Sequence, residues 1–99
     1  MKKFTIKMRS TNRGFLRGDF VDRYGETCTI HESSLAGEAA IWLGVRNPKP
    51  KVCVLGEGWK EIPLPKGAFT SGQMHLTQEM AKALIPLLQK FVKTGRLGR

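Results

Sequence analysis

Apolar and polar residues alternate over the first third of the chain, which is the pattern of half-buried strands in antiparallel sheets. Residues 3–9 follow it, with apolar side chains at every second position, and are predicted to form a half-exposed strand. Residues 22–25, Asp-Arg-Tyr-Gly, fit a type I turn that has aspartate at its first position and, at its fourth, a glycine that takes a positive φ. Pairing outward from this turn sets Phe20 against Cys28, so residues 16–34 are predicted to form a central β-hairpin.

The two faces of the predicted hairpin differ in character, because successive side chains of a strand point to opposite faces. One face is apolar and is expected to anchor the core. The other face carries hydroxyl, imidazole and guanidinium groups. The apolar face consists of Leu16, Phe20, Cys28 and Ile30, and the polar face consists of Arg17, Asp19, Thr27, Thr29, His31 and Ser33 together with Val21.

Apolar runs later in the chain predict further strands. Residues 41–45 form a short continuous apolar run, which is typical of a central strand or of one buried on both faces. Residues 52–55 and 59–64 are predicted to be extended, and residues 73–76 are predicted to form a last strand that leads into a helix. The predicted architecture is an antiparallel sheet of about five strands centred on the hairpin.

The C-terminal segment is predicted to form one helix over residues 77–94. Thr77 is a favourable N-cap and Gly95 a favourable stop, and apolar residues recur between them at helical spacing. Pro86 removes a hydrogen bond inside this helix and is expected to kink it. We expect the apolar stripe to be core, packed on one face of the sheet. The predicted fold class is therefore α+β, with residues 1–99 forming a single domain.

The chain carries a formal charge of +9 over 99 residues. Such an excess favours an anionic partner, whether a nucleotide, a nucleic acid or an acidic protein surface. The alternative is that Lys and Arg only solvate the surface. No apolar run approaches the length of a membrane span, and the basic start lacks the apolar run of a signal peptide. We expect a soluble intracellular protein with no membrane partner.

No motif of known catalytic or cofactor chemistry is found. The chain has neither G-x-x-x-x-G-K-S/T nor G-x-G-x-x-G. Cys28 and Cys53 lie in apolar strand-like runs and are expected to be buried, reduced thiols. On a strand, Cys28 and His31 point to opposite faces, which argues against a zinc site completed by Cys53 and His75. We therefore expect a protein that is not an enzyme and that holds no metal and no cofactor.

Anion binding is the remaining chemistry that the sequence favours. Arginines are interleaved with aromatic residues around the hairpin, and basic residues follow the apolar run in a proline-rich loop. Guanidinium groups for phosphate and aromatic faces for a base are what nucleotide recognition needs. The alternative is that the aromatic residues are core and the arginines are solvated. The candidate ligand-binding residues are Arg17, Arg23, Tyr24, His31, Ser33, Ser34, Arg46, Lys49, Lys51, Trp59 and His75.

Several short phrases occur in a specific order along the chain. They are Phe20-x-Asp22-x-Tyr24-Gly25-x-x-Cys28-x-Ile30, Ser33-Ser34-Leu35-Ala36, Ala40-Ile41-Trp42-Leu43-Gly44, Met74-His75-Leu76-Thr77 and Leu84-Ile85-Pro86-Leu87-Leu88-Gln89-x-Phe91. In this order they resemble a family of small accessory proteins of tailed bacteriophages and prophages, mostly without assigned activity. The resemblance spans most of residues 16–97 and implies no catalytic residues. The chain departs from it after Gly44, where a more acidic loop is expected and residues 46–51 are basic.

The resemblance and the charge together give three hypotheses. In the first, a non-enzymatic phage protein counters host defence in the bacterial cytoplasm by sequestering an anionic nucleotide-type signal. In the second, a basic module binds nucleic acid or blocks a nuclease of the host, as an anti-CRISPR protein does. In the third, the chain is a minor structural protein of the phage. The first also predicts a homo-oligomer, because a chain of this size has little room for a deep pocket.

Overall fold

A computed structural model describes residues 4–98 of the chain. Strands β1, β2, β3, β4 and β7 form, in that order, a five-stranded antiparallel sheet, and β5 and β6 form a separate two-stranded sheet. The predicted α+β class, with a five-stranded sheet and a C-terminal helix, is confirmed. The elements are β1 Lys7–Ser10, β2 Leu16–Val21, β3 Thr27–Glu32, β4 Ala40–Val45, β5 Lys51–Val54, β6 Gly58–Glu61, β7 Gly72–Thr77 and α1 Gln78–Thr94.

The β2–β3 hairpin is closed by the turn that begins at Asp22. The Asp22 carboxylate accepts hydrogen bonds from the backbone N–H groups two and four residues later, both at 2.9 Å. Gly25 has a φ of 85° and donates to the Asp22 carbonyl oxygen at 3.1 Å. Phe20 lies opposite Cys28. The turn and the pairing predicted from the sequence are both confirmed.

β1 is shorter than the strand predicted over residues 3–9, of which residue 3 lies outside the described part of the chain. The segment before β1 nevertheless follows the apolar face of the sheet. The ring of Phe4 packs edge-on against that of Phe20, with centroids 5.9 Å apart. Met8 lies over Gly18, where an added Cβ would stand 2.5 Å from the Met8 sulfur. Because Gly18 has no side chain, the side chain of Met8 packs directly on the backbone of β2.

The segments predicted to be extended over residues 52–55 and 59–64 form a hairpin of their own. Within residues 4–98, β5 and β6 pair only with each other. Pro48 and Pro50 precede β5, and because proline has no N–H donor the chain leaves the main sheet at this point. The basic loop predicted at this position therefore connects the two sheets.

One polar side chain is fully buried on the polar face of the main sheet. Thr29 is 2% exposed, and its hydroxyl accepts a hydrogen bond from the amide of Gln73, two strands away. Gly44 lies between them in the register, so no side chain blocks the reach of Gln73 across β4. Gly44 has a φ of 147°, and an added Cβ would stand 2.9 Å from the Cα of Gln73. Both the backbone conformation and the close approach require glycine here.

The helix begins and ends as its capping residues predict. The Thr77 hydroxyl accepts a hydrogen bond from the backbone N–H of Met80 at 3.2 Å. Gly95 adopts the left-handed conformation with a φ of 78° and donates to the carbonyl oxygen of Phe91 at 2.7 Å. The helix is continuous through Pro86, and the kink at this residue stays a prediction.

The apolar stripe of α1 is exposed. The helix contacts the sheet chiefly at the edge strand β7, and none of its residues is buried. Leu88 is 56% and Phe91 53% exposed, whereas Ala81 and Leu84 are half-buried. The prediction that this stripe is core is therefore wrong for a single chain. The reason is that α1 follows the edge strand directly and does not turn back over the apolar face of its own sheet.

The buried core of the described residues is small. Cys28 and Leu76 are its buried apolar side chains. Both cysteines are free thiols, but Cys53 is exposed, so the prediction that it is buried is wrong. In the described part of the chain, no second layer covers the two-stranded sheet to which Cys53 belongs.

Among residues 4–98, no helix has the length and apolar character needed to cross a membrane.

We expect Gly44→Ala to lower the free energy of unfolding by about 3 kcal/mol, because the new side chain meets the backbone of β7 at a φ that disfavours it. Gly56→Ala is the matched control. Gly56 also has a positive φ, of 80°, but an added Cβ there has open space around it. Its cost should be about 1 kcal/mol. Chemical denaturation measures both, and equal losses would contradict the role given to the close approach at β7.

Candidate functional site

A row of polar and aromatic side chains crosses the polar face of the main sheet. In the register, Arg17 of β2 lies opposite His31 of β3, His31 opposite Trp42 of β4, and Trp42 opposite His75 of β7. Because residues opposite each other share a face, all four side chains stand on the same side. The rings of Trp42 and His75 are stacked, with centroids 3.9 Å apart and an angle of 5° between their planes. The Ser33 hydroxyl lies 2.8 Å from His75 Nε2.

A cleft of about 410 Å³ adjoins this row at the β1–β2 connection. The connection is held in shape by Thr11, whose backbone N–H donates to the Phe15 carbonyl oxygen at 2.7 Å and whose hydroxyl accepts from the Phe15 N–H at 3.2 Å. The Arg13 guanidinium lies 5.7 Å from the centre of the Phe15 ring. The cleft is lined by Thr11, Asn12, Arg13, Phe15, His31, Glu32, Ser34 and Trp42.

His31 is the unusual member of this lining. Its Nε2 atom is buried and has no hydrogen-bond partner among the residues that the structure describes. Buried side-chain nitrogen atoms are nearly always hydrogen-bonded in folded proteins, and an unpaired one costs about 1–3 kcal/mol. Within residues 4–98, the cleft is therefore lined by a histidine that has a buried ring nitrogen without a partner.

Arg17 is held in place by a carboxylate. Its guanidinium donates to Asp19 at 2.9 Å, and Arg9 approaches the same carboxylate at 3.4 Å. Partial burial acts to raise the pKa of Asp19, but the hydrogen bonds and charges of Arg17 and Arg9 outweigh it, so the pKa lies below its usual value. Arg17 is only 13% exposed at its side chain. It is therefore a fixed cation beside His31 and not a mobile one.

The basic loop lines a second, polar cleft at the opposite end of the strands. This cleft has a volume of about 440 Å³. Its positive charge is partly countered, since Lys49 Nζ lies 3.8 Å from a Glu61 carboxylate oxygen and Glu26 also lines the cleft. The full lining is Gly25, Glu26, Thr27, Arg46, Asn47, Lys49, Lys51 and Glu61.

The candidate residues predicted from the sequence are thus divided between several places. The largest group lies in or beside the first cleft, and a second group lines the basic cleft. Tyr24, at 91% exposure, and Arg23 lie on the tip of the β2–β3 hairpin, and Trp59, at 71% exposure, lies on β6 outside both clefts. The first group is Arg17, His31, Ser33, Ser34 and His75, and the second is Arg46, Lys49 and Lys51.

The candidate residues predicted from the sequence do not include Trp42, Arg13 or Phe15, although Arg13 and Phe15 belong to the interleaved arginine and aromatic residues around the hairpin. Trp42 belongs to a continuous apolar run that gives no indication of which side chain faces which side. Its place follows only when β4 pairs with β3 so that Trp42 lies opposite His31. Once that pair is known, the alternation of side chains along β4 shows that Trp42 stands on the polar face.

The Ser33–His75 pair has the hydroxyl–imidazole distance of a nucleophile and its base. Within residues 4–98, however, no hydrogen bond is made to the other ring nitrogen of His75, so the orienting third group of a triad is lacking there. The same part of the chain contains no group of three or more His, Cys, Asp or Glu side chains able to hold a metal ion. What the site offers is stacking, hydrogen bonding and positive charge.

Comparison of the chain with models of protein families, with curated proteins and with solved structures found no match.

We expect Asp19→Asn to flatten the acid limb of the stability profile. Because the folded-state pKa of Asp19 is lowered, its contribution is fully present above about pH 4 and is lost as the pH falls through the folded-state value. The side chain is 33% exposed, so the contribution at neutral pH should be less than about 1 kcal/mol. Urea denaturation of both proteins between neutral and strongly acidic pH measures this. An identical acid slope in the variant would contradict it.

Proposed function

We propose that the protein is a non-enzymatic binding protein for a nucleotide-type anion and that the ligand enters the cleft beside His31. The single observation that carries the proposal is the buried, unpaired Nε2 atom of His31 in the lining of that cleft. Because Nε2 is closed to water, a ligand hydroxyl or phosphate oxygen becomes its partner when the imidazole turns toward the cleft. The cleft volume of about 410 Å³ lies in the range of small-molecule sites.

The other lining residues match the parts of a nucleotide. Trp42 and Phe15 supply aromatic faces against which a base stacks. Arg13 stands at the mouth of the cleft, where its guanidinium is exposed and forms charge-assisted hydrogen bonds with phosphate. Ser34 adds a hydroxyl. Because Arg17 is already engaged by Asp19, Arg13 is the cation that we assign to the ligand.

The biological role that we propose follows from the resemblance to accessory proteins of tailed phages. A protein that binds a nucleotide signal without transforming it lowers the free concentration of that signal. In an infected bacterium, such binding counters a defence system that the signal activates. The net charge of +9 supports this role, since it speeds the capture of an anion by electrostatic steering.

Thermal unfolding in the presence of mononucleotides and of linear and cyclic dinucleotides tests the proposal. A bound nucleotide at about one hundred times its Kd should add about 2.7 kcal/mol to the free energy of unfolding. Arg13→Ala should weaken binding about tenfold, because it removes a charge-assisted hydrogen bond. Arg96→Ala, which removes an exposed arginine beyond the helix, is the matched control and should leave the affinity unchanged.

His31→Phe separates a binding role from a structural one. Phenylalanine keeps an aromatic side chain but removes both ring nitrogens, including the unpaired one, so the free protein should become more stable while its response to nucleotide disappears. If no nucleotide of the panel changes the thermal midpoint at millimolar concentration, the proposal is wrong. A His31→Phe variant that binds nucleotide with wild-type affinity would contradict the assignment of the cleft.

Binding of single-stranded nucleic acid is a second candidate, and the basic cleft favours it. Arg46, Lys49 and Lys51 lie at the end of the sheet away from the stacked rings of Trp42 and His75. A nucleic-acid strand that crosses the sheet from one end to the other would contact these cations at one end and the stacked aromatic rings at the other. In this case, the logarithm of the affinity for a short oligonucleotide should fall with that of salt concentration with a slope of about −2 to −3, and Lys51→Ala should make it shallower by about one. Binding that is insensitive to salt would exclude this candidate.

A further inference from the structure

The chain exposes more surface than a folded monomer of its size. Its accessible surface is 8767 Å², whereas a compact monomer of 11.1 kDa exposes about 5,700 Å². Its radius of gyration is 16.8 Å, against about 13 Å for a compact domain of 100 residues. About 3,100 Å² is therefore left uncovered. Obligate homodimers remove about 2,000–5,000 Å² in total, or about 1,000–2,500 Å² from each chain, so the surplus of one chain is large enough to supply its half of such an interface.

Part of this uncovered surface is the apolar face of the main sheet. A single cross-strand row, formed by Met8, Gly18, Ile30, Leu43 and Met74, runs from one edge of the sheet to the other. The two ends of the row are uncovered, with Met8 55% and Met74 52% exposed, and Ile30 and Leu43 between them are half-buried. The row contains no charged residue, so exposing it to water costs free energy that only a covering layer recovers.

The other uncovered part is the apolar stripe of α1, formed by Met80, Leu84, Leu87, Leu88 and Phe91. By helical spacing, Lys82 and Lys93 lie on the opposite side of the helix, and Lys90 lies on the flank of the stripe. Thr77 is both the last residue of β7 and the N-cap of α1, so no loop separates the strand from the helix. Without a loop, the helix does not reverse over the apolar face from which it leaves.

We propose that a second copy of this chain covers both surfaces, with the stripe of α1 in each copy packed on the apolar sheet face of the other. A helix layer on a sheet face is the packing that each surface lacks. A two-fold axis covers the helix stripe and the sheet face of both copies at the same time. The assembly then ends at the dimer, because no copy of either surface is left for a third chain. The exchange leaves Lys82 and Lys93 of both helices in water and places Lys90 at the rim of the interface, where its ammonium group stays hydrated. The polar face and its cleft remain free.

Light scattering with size exclusion, together with thermal unfolding over a range of protein concentrations, tests this arrangement. The wild-type chain should have a mass of 22.2 kDa, twice 11.1 kDa, and a thermal midpoint that rises with protein concentration. Leu88→Glu should reduce the mass to that of one chain or unfold the protein. Gln89→Glu, which adds the same charge one residue later on the polar side of the helix, should remain dimeric.

Mixed isotope labelling of the wild-type protein makes the test independent of how Leu88→Glu folds. Nuclear Overhauser effects filtered for contacts between chains should connect the methyl groups of Leu88 to those of Met74 or Ile30 in the second copy. A wild-type monomer at micromolar concentration, a dimer without these contacts, or a dimeric Leu88→Glu variant would each overturn the proposal. The test needs no nucleotide, so a failure of the proposed function leaves it unaffected.

Discussion

The register of the β2–β3 hairpin is the constraint on which the rest of the molecule depends. It is set locally, by the Asp22 carboxylate, which accepts two backbone hydrogen bonds and fixes the turn. Because side chains alternate along a strand, a slip of one residue would exchange the apolar and polar faces throughout β2. Strands β1 and β4 pair on the two sides of this hairpin, so they take their orientation from it. Both the cleft and the apolar face therefore follow from one turn.

The sequence was sufficient for those parts of the fold that local interactions determine. The turn at Asp22 and the caps at Thr77 and Gly95 each depend on residues a few positions apart. The separation of Val52 and its neighbours into a second sheet depends instead on which strands pair after the prolines. Propensity alone does not distinguish between a fifth strand of the main sheet and a hairpin that stands apart.

The candidate site was predictable only in part, for a related reason. His31 and Ser34 belong to the hairpin segment, and its polar face identified them. Trp42 and His75 come from β4 and β7, and their stacking depends on the alignment of two strands separated by about thirty residues in the sequence. The exposure of the helix stripe was not predictable either, because an apolar stripe indicates that something covers it and does not say which chain supplies the cover.

The loop that contains Pro48 and Pro50 separates the β5–β6 hairpin from the main sheet. This separation affects both the order in which the protein unfolds and the changes of sequence that it tolerates. An isolated two-stranded sheet is marginally stable in water, so the β5–β6 hairpin should open without disturbing the main sheet. Its amide protons should then exchange much faster than those of β3. A segment that opens independently also tolerates changes of sequence and length, because these changes have little effect on the stability of the main sheet. The basic residues of this loop therefore lie where the chain is most free to acquire or lose a contact with another molecule.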